Sequence, residues 1–396
     1  MPSKSPFQLD HDLGLEYFAS TSEGVGGKIR ERIEDFTVEE LQDDSLPVPD
    51  GEHTHFTLEK RNWDTITALR EIARASGVSY KRFGFAGNKD RRAVTKQRIS
   101  AWHVEEKRLQ TVRLPGISLY DFNRNHARIT LGSLSGNRFV ATIRRTTLNG
   151  HELVDRLENI KKELGSVGLP NYFGYQRFGT TRPNTHLVGR MIVKGDLESA
   201  VNCYLGDPYE TESPPCREAR EYYDRTHDIT GALKVYPRRL TYERTMLVAL
   251  ESRPLDYAGA LRRLPTTLRR LLVHAFQAYL FNKNLSRLFQ RGVLPRNMSI
   301  RLLGSQSEYS GGILEEIEKS LLEEEGVTLQ DFQLGKMPEL GVEGSTRDGI
   351  VDVAPEISLR KSTGEGDLVD VRFDLPKASY ATTILREFMK TDPLNY

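Results

Sequence analysis

Apolar residues alternate with polar ones toward both ends of this chain and recur at helical spacing through its middle. That order constrains the fold more than any other feature. Phe36 and Val38 alternate within EDFTVEE, and Phe56 and Leu58 within HTHFTLEK, the period-two signature of half-buried strands. Phe139, Ala141 and Ile143 repeat it. Among these strands, Asp64 opens a helix with Ile66, Leu69, Ile72 and Ala73 on one face and Gly77 as its stop. Leu153, Leu157, Ile160 and Leu164 form a second helical face, ending at Gly165. From about Thr185 the pattern is helical. Leu187, Val188 and Met191 predict a short helix ending near Gly195, and Asp196 caps another through Tyr204. A long amphipathic helix follows Pro265, with Leu268, Leu271, Leu272, Ala275, Phe276, Tyr279 and Leu280 as its apolar face. Leu314 to Glu325 is acidic and reads as a solvated helix. Strand-like residues return at Leu368 to Phe373, before a last helix from Thr382 to Lys390. Strand-rich, then helix-rich, then strand-rich again describes an α+β domain interrupted by a mostly helical insertion. At 396 residues the chain is also longer than one hydrophobic core usually organises.

Composition excludes several classes. Hydrophobic content of 38% and charged content of 28% are those of a folded, soluble protein. Cys203 and Cys216 cannot build a disulfide framework and fit no zinc spacing, so they read as two thiols in a reducing cytoplasm. The opening MPSKSPFQLD lacks the apolar core of a signal peptide, and no stretch approaches the roughly 20 apolar residues that cross a bilayer. A cytoplasmic protein without membrane contact is expected, with a monomer as the default. The formal net charge is only +1, so any attraction to nucleic acid must come from local arrangement.

Such an arrangement occurs in KRFGFAGNKDRRAVTKQRIS. Between Lys81 and Arg98 stand seven basic residues (Lys81, Arg82, Lys89, Arg91, Arg92, Lys96 and Arg98) and one acid, Asp90. The plain reading is a solvated basic loop whose aspartate makes a turn. The functional reading is a phosphate-binding surface with one carboxylate set in it, where surrounding cations hold RNA and favour the charged form of an acid. A second segment, GLPNYFGYQRFG from Gly168 to Gly179, places Tyr172, Phe173, Tyr175 and Phe178 among glycines, with Gln176 and Arg177 between them. It is either a turn over an aromatic core or a pocket that stacks a flipped base. Together the two segments indicate RNA binding and leave RNA modification open. His53 and His55 lie two apart on an apparent strand with no third ligand near, so a structural role outweighs a metal site. The pairs Arg262-Arg263 and Arg269-Arg270 border the long helix; solvated side chains are the plain reading, phosphate contacts the other.

The run Phe85-Ala86-Gly87-Asn88-Lys89-Asp90, with Ala93-Val94-Thr95 and Gln97, closely resembles the catalytic motif of the TruD family of tRNA pseudouridine synthases. Asn171-Tyr172-Phe173-Gly174 with Gln176-Arg177-Phe178-Gly179 is similar to that family's second hallmark. Further matches are Gly136-Asn137 with Phe139 and Arg144, Asp35-Phe36 with Val38 and Glu40, and Leu375-Pro376 with Ser379-Tyr380-Ala381-Thr382 and Arg386-Glu387. One motif would be weak evidence. Five in family order across most of the chain are strong.

The resemblance implies a pseudouridine-synthase catalytic core, a mixed sheet with helices around a cleft, built from both chain ends (1–184 and 345–396). A mostly helical TRUD domain would be inserted at 185–344. It implies Asp90 as the catalytic carboxylate, Phe173 as the ring that stacks on the target uracil, and Asn171 as a neighbour that fixes the active-site loop. Lys89, Arg30, Asn137 and Glu40 complete the implied substrate-binding set, Arg30 standing where the family often has lysine. The implied substrate is tRNA, at uridine 13. The reaction breaks an N-glycosidic bond, turns the uracil and rejoins it through carbon, so it implies no cofactor and no metal. A carboxylate can serve it as nucleophile or as base. Two other readings compete: a catalytically silent RNA-binding protein on the same fold, which could lose Asp90 freely, and a carboxylate-dependent hydrolase, for which no second acid stands in a comparable motif.

Overall fold

A computed structural model describes residues 2–42, 48–309, 311–362 and 366–396. The chain forms two compact units, one of residues 20–169 with 351–396 and the other of residues 1–19 with 170–350.

The first unit is built on a nine-stranded mixed sheet. Its main path runs through Glu356–Ser362, Gly366–Pro376, Gly136–Thr146, Phe36–Leu41, Val94–Trp102, His53–Arg61 and Ile117–Asn125. Every neighbour along that path is antiparallel except Phe36–Leu41 against Val94–Trp102, which is parallel. The two C-terminal strands therefore complete a sheet begun by the N-terminal half; the strand-like residues at Leu368 to Phe373 predicted Gly366–Pro376, while Glu356–Ser362 was not expected. Helix Thr65–Ser76 has the ends read from the sequence. The Asp64 side chain accepts from the Thr67 N–H, and Gly77 closes the helix with φ of 67°. Leu69, Ile72 and Ala73 bury against Phe56, Leu58, Ile99 and Ala101 of the sheet. The second helix, Gly150–Val167, runs past Gly165 and stops at Gly168, whose φ is 83°. Gly165 has open space around it and continues the helix, so the expected stop at Gly165 fell one turn early.

The second unit is mostly helical, as its periodicity predicted, and its axis is helix Thr266–Gln290. Helix Thr185–Val193 crosses it closely at Gly189, where a Cβ would lie 2.0 Å from the Leu272 carbonyl oxygen. The long helix is buried on more than one face: Arg269, Val273, Gln277 and Asn284 are enclosed along with Leu272 and Phe276, while Leu271, expected in the apolar face, is 38% exposed. Its burial pattern reflects neighbours on several sides rather than a single stripe. The acidic helix Gly312–Glu325 is likewise not simply solvated. Ile317, Leu321 and Leu322 face inward, and the fully buried Glu318 carboxylate pairs with Arg301 and accepts from Asn284. Arg262 and Arg269 share Glu339, so these two arginines have internal partners rather than lying free for phosphate.

The unit boundaries differ from the expected 185 and 344 for a physical reason. Asn282 of the long helix donates to the Leu13 carbonyl and Ser286 to that of Gly14, which ties the first residues of the chain to this unit. Ser345–Asp348 pairs antiparallel with Ser299–Leu302, which adds residues beyond 344.

Buried His186 of this unit supplies a pH prediction. It is 4% exposed, and its ring stacks 5.1 Å from that of Tyr279. Burial lowers its pKa from 6.5 to about 4, against a hydrogen bond to the Asp12 backbone. The unfolded chain therefore takes up this proton at higher pH than the folded one. The contribution is complete above about 6.5 and is lost as pH falls to about 4. We expect about 3 kcal/mol of acid-labile stability from this ring, read as a smaller slope of unfolding free energy against pH in His186→Phe. An unchanged slope would contradict it.

Candidate active site

The Asp90 loop is positioned by the sheet beneath it. Phe83–Phe85 pairs with Val94–Trp102, Phe85 opposite Ile99, so the intervening chain leaves the sheet and returns to it. Two buried side chains hold it there. Gln97 donates to the Gly87 carbonyl at 3.1 Å and accepts from the Thr65 hydroxyl at 2.8 Å, while the Lys89 N–H donates to that same hydroxyl at 3.0 Å. Lys89 turns inward, its Nζ 2.6 Å from Glu40 Oε2 and the side chains 6% and 0% exposed. Gln42 donates to the other Glu40 oxygen. Asp90, the next residue, turns outward, and its side chain is 44% exposed. Arg30 Nη2 donates to Asp90 Oδ2 at 2.8 Å. The Arg30 backbone is left-handed at φ of 59°, and its guanidinium lies 4.1 Å from the centre of the Phe36 ring. The aromatic face and the carboxylate together restrict the guanidinium, and with it the carboxylate's orientation.

Asp90, Arg30, Lys89 and Glu40 are thus brought together, in two pairs. Arg30 meets Asp90 at the surface; Lys89 and Glu40 meet below the loop. Asn137 is the cross-strand neighbour of Glu40, and its Oδ1 is buried with no hydrogen-bond partner among the described residues. The basic segment is less uniformly a phosphate surface than its sequence suggested. Arg82 bonds the His103 carbonyl, Arg98 the Asp121 carbonyl, and Lys96 lies near Glu59. Arg91 and Arg92, the two residues after Asp90, remain exposed and line a hollow of about 610 Å³ with Arg32, Asn62 and the acids Glu31 and Glu34.

Within the other unit, most aromatics of the Asn171–Gly179 segment are core. Tyr172 bonds Ser286, Tyr175 bonds Asp10, and Phe178 is fully buried. The backbone of Phe173 is fixed at both groups by Asn282, which accepts from its N–H at 2.8 Å and donates to its carbonyl at 3.0 Å. Its ring lines a cavity of about 380 Å³ with Arg177, His274, Gln277 and Ser345. Burial, and then the charges of Arg177 and Arg270, lower the pKa of His274. The Arg347 guanidinium stands 4.3 Å from the centre of the Phe173 ring and donates to the Asn171 carbonyl and side chain. Asn171 in turn bonds the Gly349 and Asp348 carbonyls through its N–H and Nδ2. Arg347 and His274 carried no sequence signal, since each is a single polar residue in a segment without a distinctive motif. Among the described residues no group of three or more His, Cys, Asp and Glu side chains could hold a metal ion. His55 instead bonds the Ala127 carbonyl, and burial lowers the pKa of both His53 and His55.

Comparison with known proteins is consistent along the chain. The model of the family tRNA pseudouridine synthase D (TruD) matches residues 12–299 and 295–388. A Methanococcoides burtonii protein described as a tRNA pseudouridine synthase D is 36% identical over 98% of each chain, and one from Methanopyrus kandleri is 40% identical over 86% of each. A crystal structure described as tRNA pseudouridine synthase D from Methanosarcina mazei superposes with a TM-score of 0.86 at 33% identity, covering 98% of both chains. Fold and matches define an enzyme of the pseudouridine synthase class. The chain belongs to the TruD family, tRNA pseudouridine synthase D.

Proposed function

We propose that this chain isomerises uridine 13 of tRNA to pseudouridine, with Asp90 as the catalytic carboxylate. The observation that carries this reading is the contrast within the Asp90 loop. Lys89 and the backbone of Gly87 are tied to buried partners, while the Asp90 carboxylate is held outward, aimed by Arg30. In the reaction the bond from uracil N1 to ribose C1′ breaks and one from uracil C5 to C1′ forms. The proton leaves C5 and N1 gains one, so the product has the composition of the substrate and no oxidant or reductant takes part. An aspartate serves this chemistry either as nucleophile toward C1′ or as base toward a ribose proton. Phe173, which cannot carry a proton, suits the holding of a detached uracil away from water by stacking. Arg91 and Arg92 beside Asp90 suit contact with RNA phosphates, which makes binding weaken with salt. The reading is completed by action as a monomer in the cytoplasm.

The test follows from the C5 proton. Unmodified tRNA carrying tritium at uracil C5 should release label to water on incubation with the protein, one equivalent per tRNA, and unlabelled tRNA treated in the same way should keep its mass. Salt-sensitive binding without release would instead support an RNA-binding protein that lacks the activity.

A further inference from the structure

Lys60, on strand His53–Arg61, is fully buried, and nothing described so far explains it. Its cross-strand neighbours are Thr95 and Ile117, neither charged. Among the described residues its ammonium has only backbone partners: it donates to the carbonyls of Trp63 at 2.6 Å, Asp90 at 3.0 Å and Lys89 at 3.3 Å. All three of its donors are used. An enclosed ammonium without a carboxylate against it is costly, and a neutral side chain of that length would fill the space more cheaply. The three contacts explain its presence. They clasp the chain entering helix Thr65–Ser76 to the two residues whose side chains divide inward and outward at the site.

We propose that protonated Lys60 is a positioning residue that fixes the Asp90 main chain, and that turnover depends on its charge. This inference rests on Asp90 being the catalytic group. Lys60 touches no reacting atom; it acts by limiting where the Asp90 carboxylate can point. The charged groups that face it are Asp90 and Asp64, which favour its proton, and Lys89, which opposes it; burial outweighs them and lowers its pKa to about 8. A neutral amine has two N–H groups for three carbonyls, so deprotonation releases one of them and loosens the loop.

The experiment measures kcat and KM for pseudouridine formation in tRNA over about pH 6.5–9.5. Wild type, Lys60→Met, Lys60→Arg and Asp90→Asn are compared. The expected result is a wild-type kcat that falls above about pH 8 with KM within twofold, and a Lys60→Met kcat at least tenfold lower at neutral pH with no such fall. Lys60→Arg, charged throughout, should exceed Lys60→Met and show no fall near pH 8. A fall that persists in Lys60→Met belongs to the RNA or another group and overturns the proposal, as does a Lys60→Met kcat equal to wild type. Should Lys60→Met not fold, a flat wild-type profile, or a fall retained in Lys60→Arg, overturns it. Activity in Asp90→Asn would instead defeat the catalytic reading itself. An inactive Asp90→Asn beside a wild-type Lys60→Met profile defeats only the role of Lys60.

Discussion

Asp90→Asn should lower turnover by about 10³-fold or more while leaving tRNA binding within a few-fold of wild type. The substitution keeps size and shape, and the amide oxygen can still accept from Arg30, so the loop should keep its course. What it removes is the charge and basicity that either role of the residue requires. A loss of that size corresponds to about 4 kcal/mol of transition-state stabilisation. Loss of one negative charge beside Arg91 and Arg92 should, if anything, tighten RNA binding. Stability should hardly change, because the Arg30–Asp90 pair lies at the surface, where such pairs contribute roughly 0–1 kcal/mol. Single-turnover rates, filter binding and thermal unfolding of the same preparation separate these effects. A large loss of stability with proportionate loss of activity would mean that Asp90 is structural.

Lys89→Met has the opposite profile: its main effect is on folding. Lys89 and Glu40 form an ion pair enclosed on all sides, 2.6 Å apart. Removing the ammonium leaves the Glu40 carboxylate with Gln42 as its one side-chain hydrogen-bond partner among the described residues. Breaking one side of a buried pair typically costs about 3–5 kcal/mol, most of it the penalty of the abandoned charge. We expect a shift of that size in urea unfolding. The double variant Lys89→Met with Glu40→Gln should recover much of the loss, since no unpaired charge then remains. If the double variant is as unstable as the sum of the single ones, the two groups are not coupled and the pair does not organise the loop. Because the Lys89 N–H also binds Thr65, the single variant should disturb the adjoining Asp90 and reduce activity as well.

Much of this arrangement was legible in the residues. Alternation at Phe36, Phe56 and Phe139 gave sheet strands, and Asp64 with Gly77 gave both ends of a helix. These signals are local, and local signals survive into the fold. The outward turn of Asp90 beside an inward Lys89 was not legible, because it depends on Thr65 and Gln97, brought to the loop from a helix and a neighbouring strand. Charges proved least readable. Arg269 sits on a helix that reads as amphipathic and Glu318 on one that reads as solvated, yet both are buried, and their partners Glu339 and Arg301 stand 70 and 17 residues away. Lys60 was invisible for the same reason: nothing in TLEKRNW marks a lysine two of whose three carbonyl partners lie 29 and 30 residues later. The mostly helical compact unit takes in more than residues 185–344 because pairing of Ser299–Leu302 with Ser345–Asp348, and the seating of Leu13 and Gly14 on the long helix, are tertiary facts.

The most direct test is to map pseudouridine at single-nucleotide resolution in unmodified tRNA treated with wild-type protein or Asp90→Asn. One new pseudouridine, at uridine 13, formed by the wild type and absent with the variant, is the predicted result. No pseudouridine from the wild type, or the same modification from Asp90→Asn at an undiminished rate, would contradict the assignment of this carboxylate as the catalytic group.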